Sequence, residues 1–266
     1  MVISIFEWEC YKILCFLKNL YYITSMISKL EFQNIIEKYH LDGLIENVKW
    51  DIDKDKTLTI KFMSPTREMI GSVVYNNFPL PESSIGISNT TQLDKLLNIT
   101  GGDLLLDYVK EGKIFTKLLI SDNEFNLNYT LSDLLTIPKT GDYNGPEDYN
   151  ISVDLDDEVM SALIKAKNAL SNSDSVVVTP SLMGLSFIFG GDLEYSNKVT
   201  YIIQNPTFDD KSQFELIYGS DLLKAVLVAN KGAESGALYL NSQGLMKLEF
   251  NFKGLKSLYY IVAKTN

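Results

Sequence analysis

The chain has 266 residues, 45% of them hydrophobic and 22% charged, with a formal net charge of −10. That length accommodates two domains with separate cores, and the apolar share excludes a disordered chain. The acidic total argues against a protein that coats nucleic acid with its whole surface, although one basic patch can survive inside such a total.

Of 24 basic residues only Arg67 is an arginine. Base edges are read chiefly by arginine forks, whereas lysines act as compact point charges, so any nucleic-acid contact is expected with phosphate. The same lysine bias suggests an AT-rich, viral or phage genome. Cys10 and Cys15 form neither a disulfide framework nor a zinc spacing, which fits a reducing compartment such as the cytoplasm rather than secretion. Residues 1–25 are apolar and aromatic but broken by Glu7, Glu9, Lys12 and Lys18. Neither a signal peptide nor a membrane span fits, so an extension ahead of an internal start at Met26 is expected.

From Met26 onward one grammar repeats. Ser28-Lys-Leu-Glu31 is a capping box opening a helix to about Tyr39, followed by strands near 44–51, 57–63 and 69–75. A second copy has a strand at 83–88, a helix at 90–99 and strands at 103–109, 113–120 and 125–131. Residues 134–149 then carry two prolines, two glycines and several Asn/Asp, the chemistry of a connector; Leu134, Leu135 and Ile137 lay its first half along a surface.

The third copy is the clearest. A strand at 150–155 precedes a helix at 156–170 with acids in its first turn, then strands at 175–179, 185–189 and 198–203. The fourth has a strand at 213–218, a helix capped by Ser220 and running to about Lys231, and strands at 237–240, 245–252 and 257–263. The expected class is α+β: two similar domains (26–133 and 150–266), each of two strand-helix-three-strand units with both helices on one face of the sheets.

Taken at 100° per residue, Val159, Leu163, Ala166 and Leu170 form the buried stripe of the third helix. Ser161, Lys165 and Asn168 fall opposite, and Lys167 lies on the flank. The fourth helix buries Leu222, Leu223 and Val226 and shows Lys224 and Lys231 beside Asp221. The second shows Thr91, Asp94, Lys95 and Asn98; the first shows Glu31, Asn34 and Lys38. A lysine on one solvated helix is ordinary, but its recurrence on four helices of an acidic chain is less so.

No catalytic constellation emerges. His40 stands alone at a helix end and reads as a surface cap. The pairs Gly101-Gly102 and Gly190-Gly191 do not precede helices, as a phosphate loop would require. Asp51-Ile-Asp-Lys-Asp55 lacks the glycine and the final glutamate of a calcium loop and reads as a hairpin turn. Asp156-Asp157-Glu158 is explained by helix-start electrostatics. The expectation is a non-enzyme without metal or cofactor.

Three segments carry a family likeness. Gly244-Leu-Met-Lys-Leu-Glu-Phe-Asn-Phe-Lys-Gly-Leu-Lys-Ser-Leu-Tyr-Tyr-Ile-Val-Ala-Lys264 resembles the closing strands of the DNA sliding clamps. Gly191-Asp-Leu-Glu-Tyr-Ser-Asn-Lys-Val-Thr200 resembles their loop and strand after the third helix, and Leu135-Thr-Ile-Pro138 the start of their interdomain connector. The likeness is greatest to the two-domain trimeric kind of eukaryotes, archaea and T-even-type phages, although Val262-Ala263 replaces the usual Ala-Pro.

The resemblance implies a DNA-clamp fold and a homotrimeric ring that encircles double-stranded DNA without sequence preference, is placed there by a clamp loader and tethers a DNA polymerase. It points to Lys38, Lys95, Lys165, Lys224 and Lys231, with Lys167 flanking, as channel lysines. Leu135, Ile137, Pro138, Tyr260 and Val262 are the matching partner-peptide pocket. Subunits would join by the strands holding Phe125, Leu127 and Tyr129 and Val199, Tyr201 and Ile203. Two other readings stand beside it: a clamp-fold accessory factor acting as a monomer or in viral transcription, and a β-rich structural or assembly protein.

Overall fold

A computed structural model describes residues 26–264 apart from 144, 147, 182, 192–195, 205 and 209–213. The expected N-terminal extension with its two cysteines, the loop 192–195 and the start of the strand expected from Gln213 lie outside the described residues.

Four units follow one another. The first is β1 (Met26–Ser28), α1 (Lys29–His40), β2 (Val48–Ile52), β3 (Leu58–Met63) and β4 (Met69–Tyr75). The second is β5 (Ser83–Ile87), α2 (Thr90–Asn98), β6 (Asp103–Glu111), β7 (Ile114–Ser121) and β8 (Asn126–Thr130). The third is β9 (Ile151–Asp154), α3 (Asp157–Ala169), β10 (Ser175–Ser181), β11 (Gly184–Gly190) and β12 (Lys198–Ile203), with β13 (Thr207–Phe208) appended. The fourth is β14 (Leu216–Gly219), α4 (Ser220–Ala229), β15 (Ser235–Leu240), β16 (Leu245–Phe252) and β17 (Leu255–Val262). Strands β1 and β13, three and two residues long, were not expected; so short a segment has no period to read.

Helix starts follow the cap chemistry in three of four cases. Ser28 and Glu31 form the reciprocal box, Asn89 Oδ1 accepts from Gln92 N at 3.1 Å, and Asp156 Oδ1 accepts from Val159 N at 2.8 Å. The fourth corrects the expectation. Gly219 occupies the cap position of α4 without a side-chain bond, and Ser220 sits inside the first turn, donating its hydroxyl to the Ser173 carbonyl.

The units exchange first strands. One sheet runs β1-β6-β7-β8, another β12-β11-β10-β14, and the third β13-β9-β15-β16-β17-β4-β3-β2-β5. Thus β1 of unit one completes the sheet of unit two, β5 of unit two completes that of unit one, and β9 and β14 are exchanged likewise between units three and four. The nine-stranded sheet exists because β17 pairs antiparallel with β4, Tyr260 opposite Ile70 and Ser257 opposite Val73. This seam joins the two halves.

Alternation along β17 fixes what lies on each side of that sheet. The hydroxyl of Tyr259 reaches the Lys38 carbonyl of α1 at 2.6 Å, while the neighbouring Tyr260 ring packs on Tyr143 of the connector. Helices therefore cover one face and the connector crosses the other. The helix side holds the core, with Trp50 edge-on to Phe32 and Phe78 at 5.7 Å and Phe62 edge-on to Tyr259 at 5.9 Å. Helix α1 touches α2 and α4, and α4 touches α3, so the four lie side by side in the order α2-α1-α4-α3.

Candidate nucleic-acid interface and docking surfaces

The helix row presents fewer lysines than the sequence suggested. Lys95 and Lys165 are exposed, Lys224 is half-buried, and Lys231 is exposed just beyond α4. Lys38 and Lys167 are 2% and 1% exposed, which removes both from any phosphate-facing surface. Lys167 is held inward because its three ammonium donors meet three acceptors: Ser171 O at 2.9 Å, Ser173 O at 2.7 Å and Asp221 Oδ1 at 3.0 Å. The buried stripe of α3 accordingly contains Met160, Leu163, Ile164, Ala166 and Lys167, with Val159 and Leu170 only half-buried. Lys38 lies with Nζ 4.5 Å from the Phe252 ring centroid, and burial lowers its ammonium pKa. Unlike Asn34 and Glu31, it points into the seam.

The row is also acidic in places. Glu37, Asp157, Glu158 and Asp221 are exposed and Asp94 is half-exposed beside the lysines. Between α1 and α4 opens a cleft of about 1050 Å³, walled by Ile36, Leu41, Leu222 and Val228 and edged by Glu37, Asp42 and Asp221; Lys224 lies in its wall. His40 also lines the cleft, bound through Nε2 to Thr91 Oγ1 at 3.1 Å and Glu46 Oε1 at 3.4 Å. Burial raises the Glu46 carboxyl, but hydrogen bonds from Thr91 and His40 outweigh it and hold the pKa below the usual carboxylate value. His40 thus bridges α1 to the start of α2, and the Thr91 hydroxyl beside it donates its proton to Glu46 Oε1 rather than to the imidazole. Asp53 in the β2–β3 turn accepts from the Asp55 and Thr57 amides at 2.9 and 2.8 Å, forming an Asx turn. No group of three or more His, Cys, Asp or Glu able to hold a metal occurs among the described residues, and no helix there is long and apolar enough to cross a membrane.

On the opposite face the connector is pinned at successive strands. Ser132 bridges Gly86 on β5, where a side chain would collide with the Ser132 carbonyl 2.5 Å away. Farther on, Asp142 pairs with Lys61 on β3, Tyr143 stacks edge-on to Tyr260 on β17 at 4.8 Å, and Tyr149 leans on Tyr239 of β15 at 5.5 Å. The five pocket residues inferred from the resemblance do not form one cluster. Ile137 is buried over Gly86, four strands from Tyr260, a separation of about 19 Å at ordinary strand spacing. Leu135 is 85% exposed, Pro138 is exposed, and Val262 lies half-open at the end of β17. Sequence reasoning missed Lys61, Tyr143, Tyr149 and Tyr239; the run of tyrosines in and opposite the connector was the available signal.

The expected joining strands are both sheet edges: among the described residues β8 pairs only with β7, and β12 only with β11. Their side chains divide. Leu127, Tyr129 and Ile203 are buried in their own sheets, Val199 and Tyr201 are half-buried, and Phe125 is exposed just before β8. What the edges offer outward is backbone hydrogen-bonding capacity.

No family model and no curated protein sequence matches the chain. Solved structures do. A. fulgidus PCNA, solved with the C-terminal region of FEN-1 bound, aligns with a TM-score of 0.73 at 13% identity, covering 91% of this chain and 98% of that one. PCNA from Entamoeba histolytica aligns at 0.72 and 16%, covering 91% and 98%, and a PCNA2–PCNA3 complex from Sulfolobus tokodaii at 0.70 and 15%, covering 90% and 98%. The chain has the fold of these clamps, with two similar domains.

Proposed function

We propose that this chain is one protomer of a ring-shaped sliding clamp, a homotrimer that encircles duplex DNA and tethers a DNA polymerase and other replication proteins. The observation that carries the reading is that two edge strands, β8 and β12, match the two strands of the internal seam. Within the chain, the last strand of unit four (β17) pairs with the last strand of unit one (β4). Among the six strands at the edges of the three sheets, β8 and β12 are the ones that correspond to that pair, as the last long strands of units two and three. A β8–β12 joint between copies would therefore repeat the internal seam, and because the two edges differ, the joint is head-to-tail and closes into a ring if the rotation allows. The side-by-side helix row and the clamp relatives bound to FEN-1 or to one another support the same reading.

In this ring the helices line the hole, and Lys95, Lys165 and Lys231 meet phosphate without reading sequence, while Lys224, half-buried in the wall of the acidic α1–α4 cleft, is left out. The chain acts as a scaffold with no chemistry of its own, loaded by a separate clamp loader in a DNA-containing compartment. Partner peptides engage the connector face around Tyr143 and Tyr260.

Light scattering after size exclusion is the first test. The expected mass is three times 30.0 kDa, and a monomer at micromolar concentration would overturn the ring in favour of a clamp-fold accessory factor. The second is Lys95→Glu with Lys165→Glu, which should leave the mass unchanged and abolish retention on circular duplex DNA. Full retention would remove the helix row from the interface.

A further inference from the structure

The cleft between α1 and α4 is not accounted for by phosphate contact, and its chemistry opposes it. Six carboxylates line it (Glu37, Asp42, Glu68, Asp94, Asp174 and Asp221) against two lysines, Lys224 and Lys264. Among the described residues only Asp221 of the six has an ion-pair partner, the buried Lys167. Lys264 turns its ammonium to the Asp174 carbonyl oxygen at 3.2 Å. Between these charges the wall is apolar: Val228 is 47% exposed and Leu44 and Ala225 are half-buried, above the buried Ile36 and Leu222. A ligand complementary to this surface must bring both positive charge and an apolar edge.

We propose that the α1–α4 cleft is a docking site for a short basic, amphipathic segment of a protein partner, seated as one or two helical turns along the groove. The volume of about 1050 Å³ suits that occupant, because one turn of a cylinder 10 Å across and 5.4 Å long fills roughly 420 Å³. Apolar anchors on one face of the segment cover Val228, Ala225 and Leu222, and flanking lysines or arginines pair with Glu37, Asp42 and Asp94. This is the helix-in-groove mode with electrostatic selection added. Duplex DNA, the other charged macromolecule in play, is repelled by the same carboxylates. The inference does not rest on ring assembly.

The test uses the full chain and a short fluorescein-labelled lysine–leucine peptide with leucines at helical i, i+3, i+4 spacing, read by anisotropy. Binding is expected, weakening as salt rises. A glutamate–leucine peptide of the same spacing should not bind. Glu37→Gln, Asp42→Asn and Asp94→Asn together should weaken it about tenfold. Val228→Ser should weaken it independently, with circular dichroism confirming that the variants are folded. Absence of binding, equal binding of the acidic peptide, or an unchanged affinity in the triple variant would overturn the proposal. Lys95→Glu with Lys165→Glu should leave peptide binding intact, so failure here and failure of the clamp reading are separable.

Discussion

Replacing Tyr259 with Phe removes one oxygen atom and tests how the two halves are locked together. The Tyr259 hydroxyl donates to the Lys38 carbonyl at 2.6 Å and accepts from Asn230 Nδ2 at 2.9 Å; Asn230 Oδ1 in turn accepts from Ser257 Oγ at 2.6 Å. The Lys38 carbonyl lies in the last turn of α1, where the helix itself supplies no donor, so a tyrosine from the final strand caps a helix of the first unit. All these groups are buried, and water cannot take over from the lost hydroxyl without opening the seam. Tyr259→Phe therefore leaves one buried carbonyl unsatisfied and one amide short of a partner, at a cost of about 1–3 kcal/mol. For an ordered chain of this size that is a fall in Tm of roughly 4–8 °C at the middle of the range. Calorimetry or denaturant unfolding reads it. A double-mutant cycle with Asn230→Ala should show coupling of about 1 kcal/mol, since the two changes strike one network. A loss below about 0.5 kcal/mol with additive cycle energies would refute the claim that the seam depends on this network.

Lys38→Met should stabilise the chain by about 1–2 kcal/mol near neutral pH, because a buried ammonium without a carboxylate partner is replaced by an apolar group of similar length. The sign with pH follows from the lowered pKa: the folded state sheds this proton before the unfolded state does, so the wild-type chain gains stability relative to Lys38→Met as pH rises from the lowered value towards 10.5. Melting the two proteins in parallel checks it, and a constant difference across that window would contradict it. Lys61→Ala should leave Tm within about 1 °C, since its pair with Asp142 is exposed, but it should speed tryptic cleavage at Lys139 several-fold by freeing the connector. An unchanged cleavage rate would mean that the tyrosine contacts alone hold the segment.

The units were legible because each carries its own period and punctuation. The Ser28–Glu31 box, the Asp156 cap and the alternation in β16 and β17 are local signals, and they survive folding unchanged. The strand exchange between units was not legible, since nothing in Met26–Ser28 or Ser83–Ile87 names the sheet it will join. Helix faces failed where tertiary acceptors override periodicity. Lys167 lies near the boundary of the α3 stripe by angle, and only the carbonyls of Ser171 and Ser173, brought round by the following loop, decide that it turns inward. Lys38 is similar: its place over Phe252 depends on a strand more than two hundred residues later. The pocket residues scattered for a related reason. A connector's path across a sheet is set by contacts such as Asp142–Lys61 and Tyr143–Tyr260, and neither pair is adjacent in sequence.

These corrections change which feature carries the functional argument. With Lys38 and Lys167 withdrawn and a cluster of carboxylates between α1 and α4, charge on the helix row is too mixed to single out DNA unaided. The sheet edges are more decisive. An open edge strand is an aggregation hazard, and β8 (Asn-Leu-Asn-Tyr-Thr) has no charge, proline or bulge to blunt it; β12 has one lysine at its start. A partner strand would cover such edges, and the internal β4–β17 pairing is the model proposed for that cover. Under that arrangement few lysines per protomer suffice, because an enclosed duplex is retained by topology and each phosphate contact can be weak enough to exchange along the backbone. In the proposed ring, sparse, mixed charge on the helix row and unprotected edges on the sheets would be two consequences of one design: retention would come from closing the ring and only positioning from charge.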